Sequence, residues 1–384
     1  DINDKYALDG RDPSSIAGVQ WCHGLFDRPF NPSVPIMGVI RQRDLQAHES
    51  RLDMEAYEAH VRRSVIDVQN PIFIIGAGYA GAMAARCLTN HGIEVVVIDK
   101  GSKVGGRASA RSLDKEYLTH GTVMADAVPA WLNCTLESIF SKEGIKRSGD
   151  QLMIDRGPVI IEHLLRDIQV YCETKIVSVG PSNSEIVLQS DKGNRWSASG
   201  VILTTPLPQS ADILGQMAPE DWKDGNYESI WSVLFSNDSV IPRSVIKAAQ
   251  NAGLMVVCGS DNPSRSLVLH SNSEWSKKHL EKSRSEIVEL ILDQCRRFAD
   301  NDALKWLESS NSQGHRWRFA RAIRTGTEIN IPRIVMAGDA WGKPVGSVGG
   351  AISSGAWAAA ELVFYLSNFS KRGSDIQSSL LDKW

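Results

Sequence analysis

Residues Pro71 to Asp99 read PIFIIGAGYAGAMAARCLTNHGIEVVVID, and this stretch decides the fold. Ile72 to Ile75 is a short unbroken apolar run, the pattern of a strand covered on both faces. Gly76, Gly78 and Gly81 follow in the spacing G-x-G-x-x-G and lead into a helix. In that arrangement the first glycine permits the tight turn and the second lets backbone approach a pyrophosphate. The third lets the helix pack closely on the strand, with its N-terminus toward the phosphates. A second apolar run from Glu94 ends at Asp99, about twenty residues beyond the loop, where a carboxylate accepts hydrogen bonds from a ribose diol. The stretch therefore predicts a β-α-β unit that binds an ADP-containing dinucleotide.

The whole chain has 384 residues, 42% hydrophobic and 23% charged, with a formal net charge of -3. That length predicts two domains, because single cores rarely grow beyond about 250–300 residues. The weak negative charge argues against a nucleic-acid partner. Cys22, Cys87, Cys134, Cys172, Cys258 and Cys295 are scattered without a C-x-x-C pair, so neither a disulfide framework nor a zinc site is expected. No apolar run reaches the length of a membrane span, and no basic-then-apolar signal pattern opens the chain. These features suggest a reduced, cytoplasmic protein, although the chain begins at Asp1 rather than Met and so leaves targeting open.

Seventy residues precede the first strand. Pro29, Pro32 and Pro35 among Trp21, Phe26 and Phe30 read as irregular chain docking its aromatics on the main body. The helical spacing of Met54, Tyr57, Val61, Val65 and Val68 predicts a packing helix over about Asp44 to Val68. Cys22-His23 lacks ligands at metal spacing and reads as plain burial. After Asp99, Gly105 and Gly106 precede Arg107 and Arg111, and an arginine here suits a bidentate phosphate contact. Lys175 to Val179 and Glu185 to Gln189 alternate as paired strands and Gly200 to Leu203 reads as another buried strand, together completing the nucleotide domain's sheet. From about Asn226 to Arg324, strands such as Ser266 to His270 alternate with helices such as Ser283 to Ala299, the pattern of a separate α+β unit. Gly259 to Ser266 and Ser370 to Lys383 read as a polar loop and tail.

Near the C-terminus a second strand, glycine turn and helix recurs. Arg333 to Ala337 runs into Gly338-Asp339, then Gly346, Gly349 and Gly350 precede a helix from about Ala351. A reduced flavin gathers negative charge that a helix N-terminus stabilises, so two such elements imply one extended cofactor gripped at both ends, namely FAD.

The chain resembles the renalase branch of the flavin amine oxidase-like superfamily over roughly Pro71 to Leu366. The resemblance is carried by GAGYAG at Gly76, DKGSKVGGRASAR at Asp99, ILTTPLPQ at Ile202, LVLHSNSEWSKKHL at Leu267, HRWRFARA at His315, AGDAW at Ala337 and GGAISSG at Gly349. It implies noncovalent FAD and oxidation of dihydro isomers of NAD(P)H with oxygen as acceptor. It also implies that Gly76, Gly78 and Gly81 hold the pyrophosphate, Asp99 the ribose, Arg107 the phosphate side and Ile176 the adenine, with Asp339 and Ala351 toward the ribityl chain and ring. Ala80, Lys100, Gly106, Thr205, Gly338 and Gly350 complete the expected cofactor set. Thr119 to Met124 departs from the family's usual sequence, the stretch from Trp131 to Ile154 is short, and Gly349 replaces a usual glutamate. These departures fall on the substrate side.

The expected fold is α/β, with a discontinuous Rossmann-type FAD-binding domain (71–130, 166–215 and 325–366) and an α+β substrate domain (131–165 and 216–324). A 1–70 appendage and a 367–384 tail complete the chain. The expected function is an FAD-dependent oxidoreductase taking hydride from a C–H beside nitrogen in a dihydronicotinamide or small amine, with O2 as acceptor. Alternatives are a biosynthetic flavoenzyme and a non-redox protein that uses FAD structurally. His120, Trp317 and Trp341 are the candidates for catalysis: His120 to orient substrate or take a proton, the tryptophans to wall a planar substrate. No metal is required.

Overall fold

The structure, a computed structural model, describes residues 68–114, 116–122, 124–125, 145–148, 151–154, 157–182, 185–223, 226–258 and 264–370. The expectations for the N-terminal appendage, Cys22-His23 and the tail from residue 371 lie outside the described residues. In the first half, β1 (Ile72–Ile75), α1 (Tyr79–Asn90) and β2 (Val95–Ile98) are followed by a hairpin of β3 (Ala110–Leu113) and β4 (Glu116–Thr119). Next come β5 (Met124–Ala125), β6 (Ile145–Ser148), β7 (Gln151–Ile154), α2 (Gly157–Leu164), β8 (Gln169–Tyr171), β9 (Ile176–Ser182), β10 (Glu185–Ser190), β11 (Arg195–Ala198), β12 (Gly200–Leu203) and α3 (Leu207–Leu214). The second half holds β13 (Tyr227–Ser236), α4 (Arg243–Asn251), β14 (Met255–Cys258), β15 (Ser266–His270), α5 (Ser273–Lys278), α6 (Arg284–Arg296), α7 (Asn301–Ser309), β16 (Asn311–Ala322), β17 (Ile334–Met336) and α8 (Val348–Ser370).

The Rossmann-like half is a five-stranded parallel sheet in the order β17-β12-β1-β2-β8. β1, β2 and β12 are buried at every residue, which is why they carry unbroken apolar runs instead of alternation. Ile72, Ile74, Val95, Val97, Ile202 and Val335 pack toward α1, α2 and α8. Phe73, Ile75, Val96, Ile98, Val201, Leu203 and Ile334 face the opposite way, against α3 and against Ile176, Val179, Ile186, Leu188 and Ala198. Those last residues belong to a separate antiparallel sheet, β11-β10-β9, and this corrects the expectation that all these strands extend the nucleotide sheet. The short connections between β9, β10 and β11 allow hairpins, whereas a parallel strand needs a long crossover. Only β12 joins the parallel sheet, beside β1. The strand order turns at β1, so the crevice outside the carboxyl ends of β1, β2 and β12 is where a ligand fits.

The other half is an antiparallel sheet in the order β14-β15-β13-β16. Trp231, Val233, Phe235, Leu267 and Leu269 pack one face against Val245, Ile287, Ile291, Trp306 and Leu307 of α4, α6 and α7. The helices start where the sequence supplies caps. Ser283 and Glu286 form a reciprocal capping box on α6, and Asp300 accepts from Ala303 N at 2.9 Å on α7. The opposite face turns Leu234 and Val268 toward Leu118 of β4, so the β3–β4 hairpin lies across it. Among the described residues no helix is long and apolar enough to cross a membrane.

α8 begins at Val348, three residues before the expected Ala351, and packs along α1 through small residues that include Ala84, Ala356 and Ala359. At the crossing, a Cβ on Gly355 would stand 2.2 Å from the Ala80 carbonyl oxygen. Backbone cannot yield there as a side chain can. Gly355→Val should therefore lower the urea-unfolding midpoint by the equivalent of about 1–3 kcal/mol or more, and it should displace the first turn of α1. An unchanged midpoint would show that the helices are not in this contact.

Candidate active site

The glycine loop builds one end of the site. Gly76 has φ +114°, and a Cβ there would meet Thr204 Oγ1 at 2.5 Å; the hydroxyl lies 2.9 and 3.0 Å from the Ile75 and Gly76 carbonyl oxygens. Gly81 faces inward, its missing Cβ 1.9 Å from the Gly76 oxygen, so it serves close packing of helix on strand and does not line the cavity. Gly78 differs, because a Cβ there meets nothing within 4 Å and points into open space. α1 has no side-chain cap, and Gly78, Tyr79 and Ala80 line the cavity, so the uncapped N–H end of the helix faces it. Asp99 Oδ2 accepts from Ala77 N at 2.7 Å and Oδ1 from Gly101 N at 2.6 Å, fastening β2 to the loop while the carboxylate still borders the cavity.

Gly105 donates to Ala77 O at 2.9 Å, and Gly106, at φ +52°, rests against Gly78. The turn brings Arg107 onto a carboxylate. Its Nη1 and Nη2 lie 2.6 and 2.7 Å from Oδ2 and Oδ1 of Asp339, and Nη1 also donates to Ala320 O at 3.3 Å. The bidentate partner in the structure is therefore a buried carboxylate, not the phosphate expected from sequence. Burial alone would lower the Arg107 pKa, but Asp339 outweighs it and holds it up. Asp339 Oδ2 also accepts from Ala322 N at 2.8 Å, so the pair ties the arginine loop to the end of β16. Tyr227 lies beneath the guanidinium, 5.8 Å from ring centroid to Cζ, and its hydroxyl accepts from Leu207 N at 3.2 Å.

Of the residues proposed from sequence for the cofactor, Lys100, Gly106, Ile176, Thr205, Gly338, Asp339 and Ala351 line the same cavity. Gly350 does not. Its missing Cβ would lie 2.5 Å from the Pro344 oxygen and 2.8 Å from Ser347 Oγ, and its N donates to that Oγ at 2.8 Å, so it is small for packing at the start of α8. Trp341 also turns away, into the core, edge-on to Trp222 at 5.5 Å. The turn at Gly338 presents Asp339 to the cavity and returns Ala340 and Trp341 to the interior, which removes Trp341 from the substrate wall. Ser354 on α8 fixes that turn by bonding both N and O of Gly338 at 2.9 Å. The sequence signal for Ser354 is a hydroxyl in an alanine-rich apolar helix.

His120 and Trp317 form the other end. A Cβ on Gly121 would meet Arg107 O at 1.9 Å, so the residue after His120 must be small for the chain to pass the arginine loop. The His120 and Trp317 rings stack at 5.2 Å and 28°, and Trp317 Nε1 donates to His120 O at 3.0 Å. His315 stands edge-on to both rings, at 4.5 and 4.3 Å. Sheet register places Ser232 beside both His270 and His315, and His270 Nε2 donates to His120 O at 3.1 Å. His120 is only 2% exposed, yet neither ring nitrogen makes a well-aligned hydrogen bond, the Leu118 backbone offering only a weak contact. Burial, then His315, Arg111 and His270, push its pKa down to about 3, against the Leu118 backbone. Burial, Arg111 and Arg284 take His315 down to about 4. Both rings are neutral at pH 7.

One cavity of about 1130 Å³ joins these ends, from Ile176 and Asp212 past the glycine loop to His315 and Trp317. Its lining fits FAD: an open Gly78, an uncapped helix end beside it that offers N–H donors, an accepting carboxylate at the end of β2, and a second helix start whose Val348 and Ala351 border the far side.

Two measurements check this geometry. Removing one partner of the Arg107–Asp339 pair leaves a charge without compensation, so Arg107→Met and Asp339→Asn should each cost about 3–5 kcal/mol. The double variant should lose less than the sum, as read from denaturant midpoints in a double-mutant cycle. The neutral imidazoles give a pH signature. Above the ordinary value of 6.5 neither state carries the proton; as pH falls from 6.5 toward about 4, the unfolded chain takes up protons that folded His120 and His315 refuse, and stability drops. His120→Phe should flatten part of that loss in melting temperature.

The sequence matches the NAD(P)-binding Rossmann-like domain family over residues 74–137 and the family described as flavin containing amine oxidoreductase over residues 137–363, more than half of the chain. Among solved structures it is similar to putrescine oxidase bound to putrescine, at 14% identity and TM-score 0.55, covering 77% of this chain and 99% of that one. It is also similar to cyclohexylamine oxidase from Brevibacterium oxydans IH-35A, at 12% identity and TM-score 0.57, covering 79% and 100%. Identities this low show a shared fold. A short stretch is 39% identical over 64 residues to a deoxyribodipyrimidine photo-lyase of Oryza sativa subsp. japonica, 16% of this chain and 12% of that protein. A second photo-lyase, from Methanothermobacter thermautotrophicus, is 34% identical over 61 residues, 16% and 14% of the two chains. The chain thus spans about an eighth of those proteins, and so short a match brings no activity with it. With the family matched across more than half the chain and the cradle fitting its cofactor, FAD, the chain belongs to the flavin-containing amine oxidoreductases.

Proposed function

We propose that this enzyme removes hydride from a carbon beside nitrogen, in a dihydronicotinamide or a small cyclic amine, in the manner of renalase-like proteins, with O2 as the electron acceptor. The observation that carries the reading is the unbroken cavity from the open face of Gly78 to the stacked wall of His120 and Trp317. On this reading Gly76, Gly78 and the N-terminus of α1 hold the pyrophosphate, Asp99 takes the ribose and Ile176 the adenine. Asp339 lies toward the ribityl chain, and the start of α8 near Ala351 stabilises negative charge on the ring. The flavin when bound accepts hydride, and no protein nucleophile is needed.

What the chain supplies is position and exclusion of water. The His120–Trp317 stack offers a flat surface for a planar substrate, and the β3–β4 hairpin closes it against the second sheet. With its pKa pushed down to about 3, His120 is a poor base at neutral pH. Its part is to orient substrate by hydrogen bonding.

Purified protein should be yellow and release intact FAD on denaturation. Gly78→Val should fold normally, since a Cβ there has no atom within 4 Å, yet carry no flavin. Normal flavin content in that variant would move the phosphate elsewhere. In anaerobic rapid mixing, a dihydronicotinamide isomer or cyclic amine should bleach the flavin, ordinary NADPH should do so poorly, and readmitted oxygen should yield peroxide. Fast bleaching by NADPH with a hydroxylated product and no peroxide would identify a monooxygenase instead.

A further inference from the structure

Charge is distributed unevenly along the cavity. Among the described residues the carboxylates that line it are Asp99, Asp212 and Asp339. Asp339 is taken by Arg107, and Asp99 and Asp212 both bear on Lys100. Among the described residues the aromatic end has no carboxylate in its lining. It has Arg111 on β3, half-buried, which has no ion-pair partner among the described residues and feels a second positive charge from Arg284. Beside it stand three buried ring nitrogens without a well-aligned hydrogen bond, both of His120 and Nδ1 of His315.

A half-buried guanidinium without a counter-charge is unfavourable unless something of opposite sign arrives. Its planar fork matches a carboxylate or phosphate, and a neutral imidazole adds one donor to such a group. We infer that Arg111, together with the ring nitrogens of His120 and His315, forms an anion subsite, and that the substrate carries a carboxylate or phosphate on a planar or cyclic frame. The inference rests on the reading of the aromatic end as the substrate end. It separates this chain from enzymes of diamines: a second ammonium group here would face Arg111 and Arg284 with no carboxylate among the described lining residues at that end to offset it.

The test is titration of the holoprotein with benzoate, phenyl phosphate and benzylamine, read by perturbation of the flavin spectrum and by melting temperature. Benzoate or phenyl phosphate should bind, and the stronger of the two identifies the group. Benzylamine should not bind at the same concentrations. Arg111→Met should weaken the anion about tenfold or more while keeping FAD content, and Arg111→Lys should recover part of the affinity. Preference for benzylamine, undiminished anion binding in Arg111→Met, or loss of FAD from that variant would each overturn the subsite, the last by placing Arg111 on the cofactor. Were the protein isolated without flavin, the proposed reaction would fail by itself, and the anion-dependent melting temperature, compared with that of Arg111→Met, would still report whether anions bind at Arg111.

Discussion

The site depends on the buried pair of Arg107 and Asp339. The side chains are 26% and 7% exposed, and their two short contacts connect segments far apart in sequence. Such a pair contributes little net stability, since taking two charges out of water offsets most of their attraction. What it fixes is relative position. Arg107 follows the glycines that lean on the dinucleotide loop, and Asp339 follows the strand that precedes α8. Through Ala320 and Ala322 the same groups hold the end of β16. The strand that carries His315 and Trp317 is thus anchored to the cofactor cradle by one ion pair, with Tyr227 packed beneath it.

The parts legible in sequence are those in which a local pattern has a single structural meaning. β1 and β12 fall where apolar runs place them, and β2 within the run that ends at Asp99, because these central parallel strands are covered on both faces and carry only apolar residues and glycine. The glycine triplet was readable for the same reason, each position having its own steric demand. Gly350 and Trp341 misled because proximity to a glycine turn says nothing about which way the next side chains point. One peptide beyond Asp339 the chain already faces the core. His270, His315 and Ser232 come together through strand register, between segments that share no local signal. The alternation of His315, Trp317 and Phe319 along β16 could have suggested a common face, but not what lay opposite it.

Buried imidazoles also separate a packing role from a binding one. The face of the second sheet turned to α4, α6 and α7 is filled by Trp231, Val233, Phe235, Leu267 and Leu269. On the other face the same strands present His270, Ser232 and His315, and the hairpin adds His120. A buried polar atom left without a partner costs about 1–3 kcal/mol, more than a leucine or phenylalanine in its place would. Packing alone gives no reason to keep His120 and His315 in this position. They also share the cavity with Trp317, whose indole is held flat by its bond to the His120 carbonyl. Polar atoms that the protein leaves unsatisfied beside a rigid aromatic surface mark where a polar, planar molecule completes the structure.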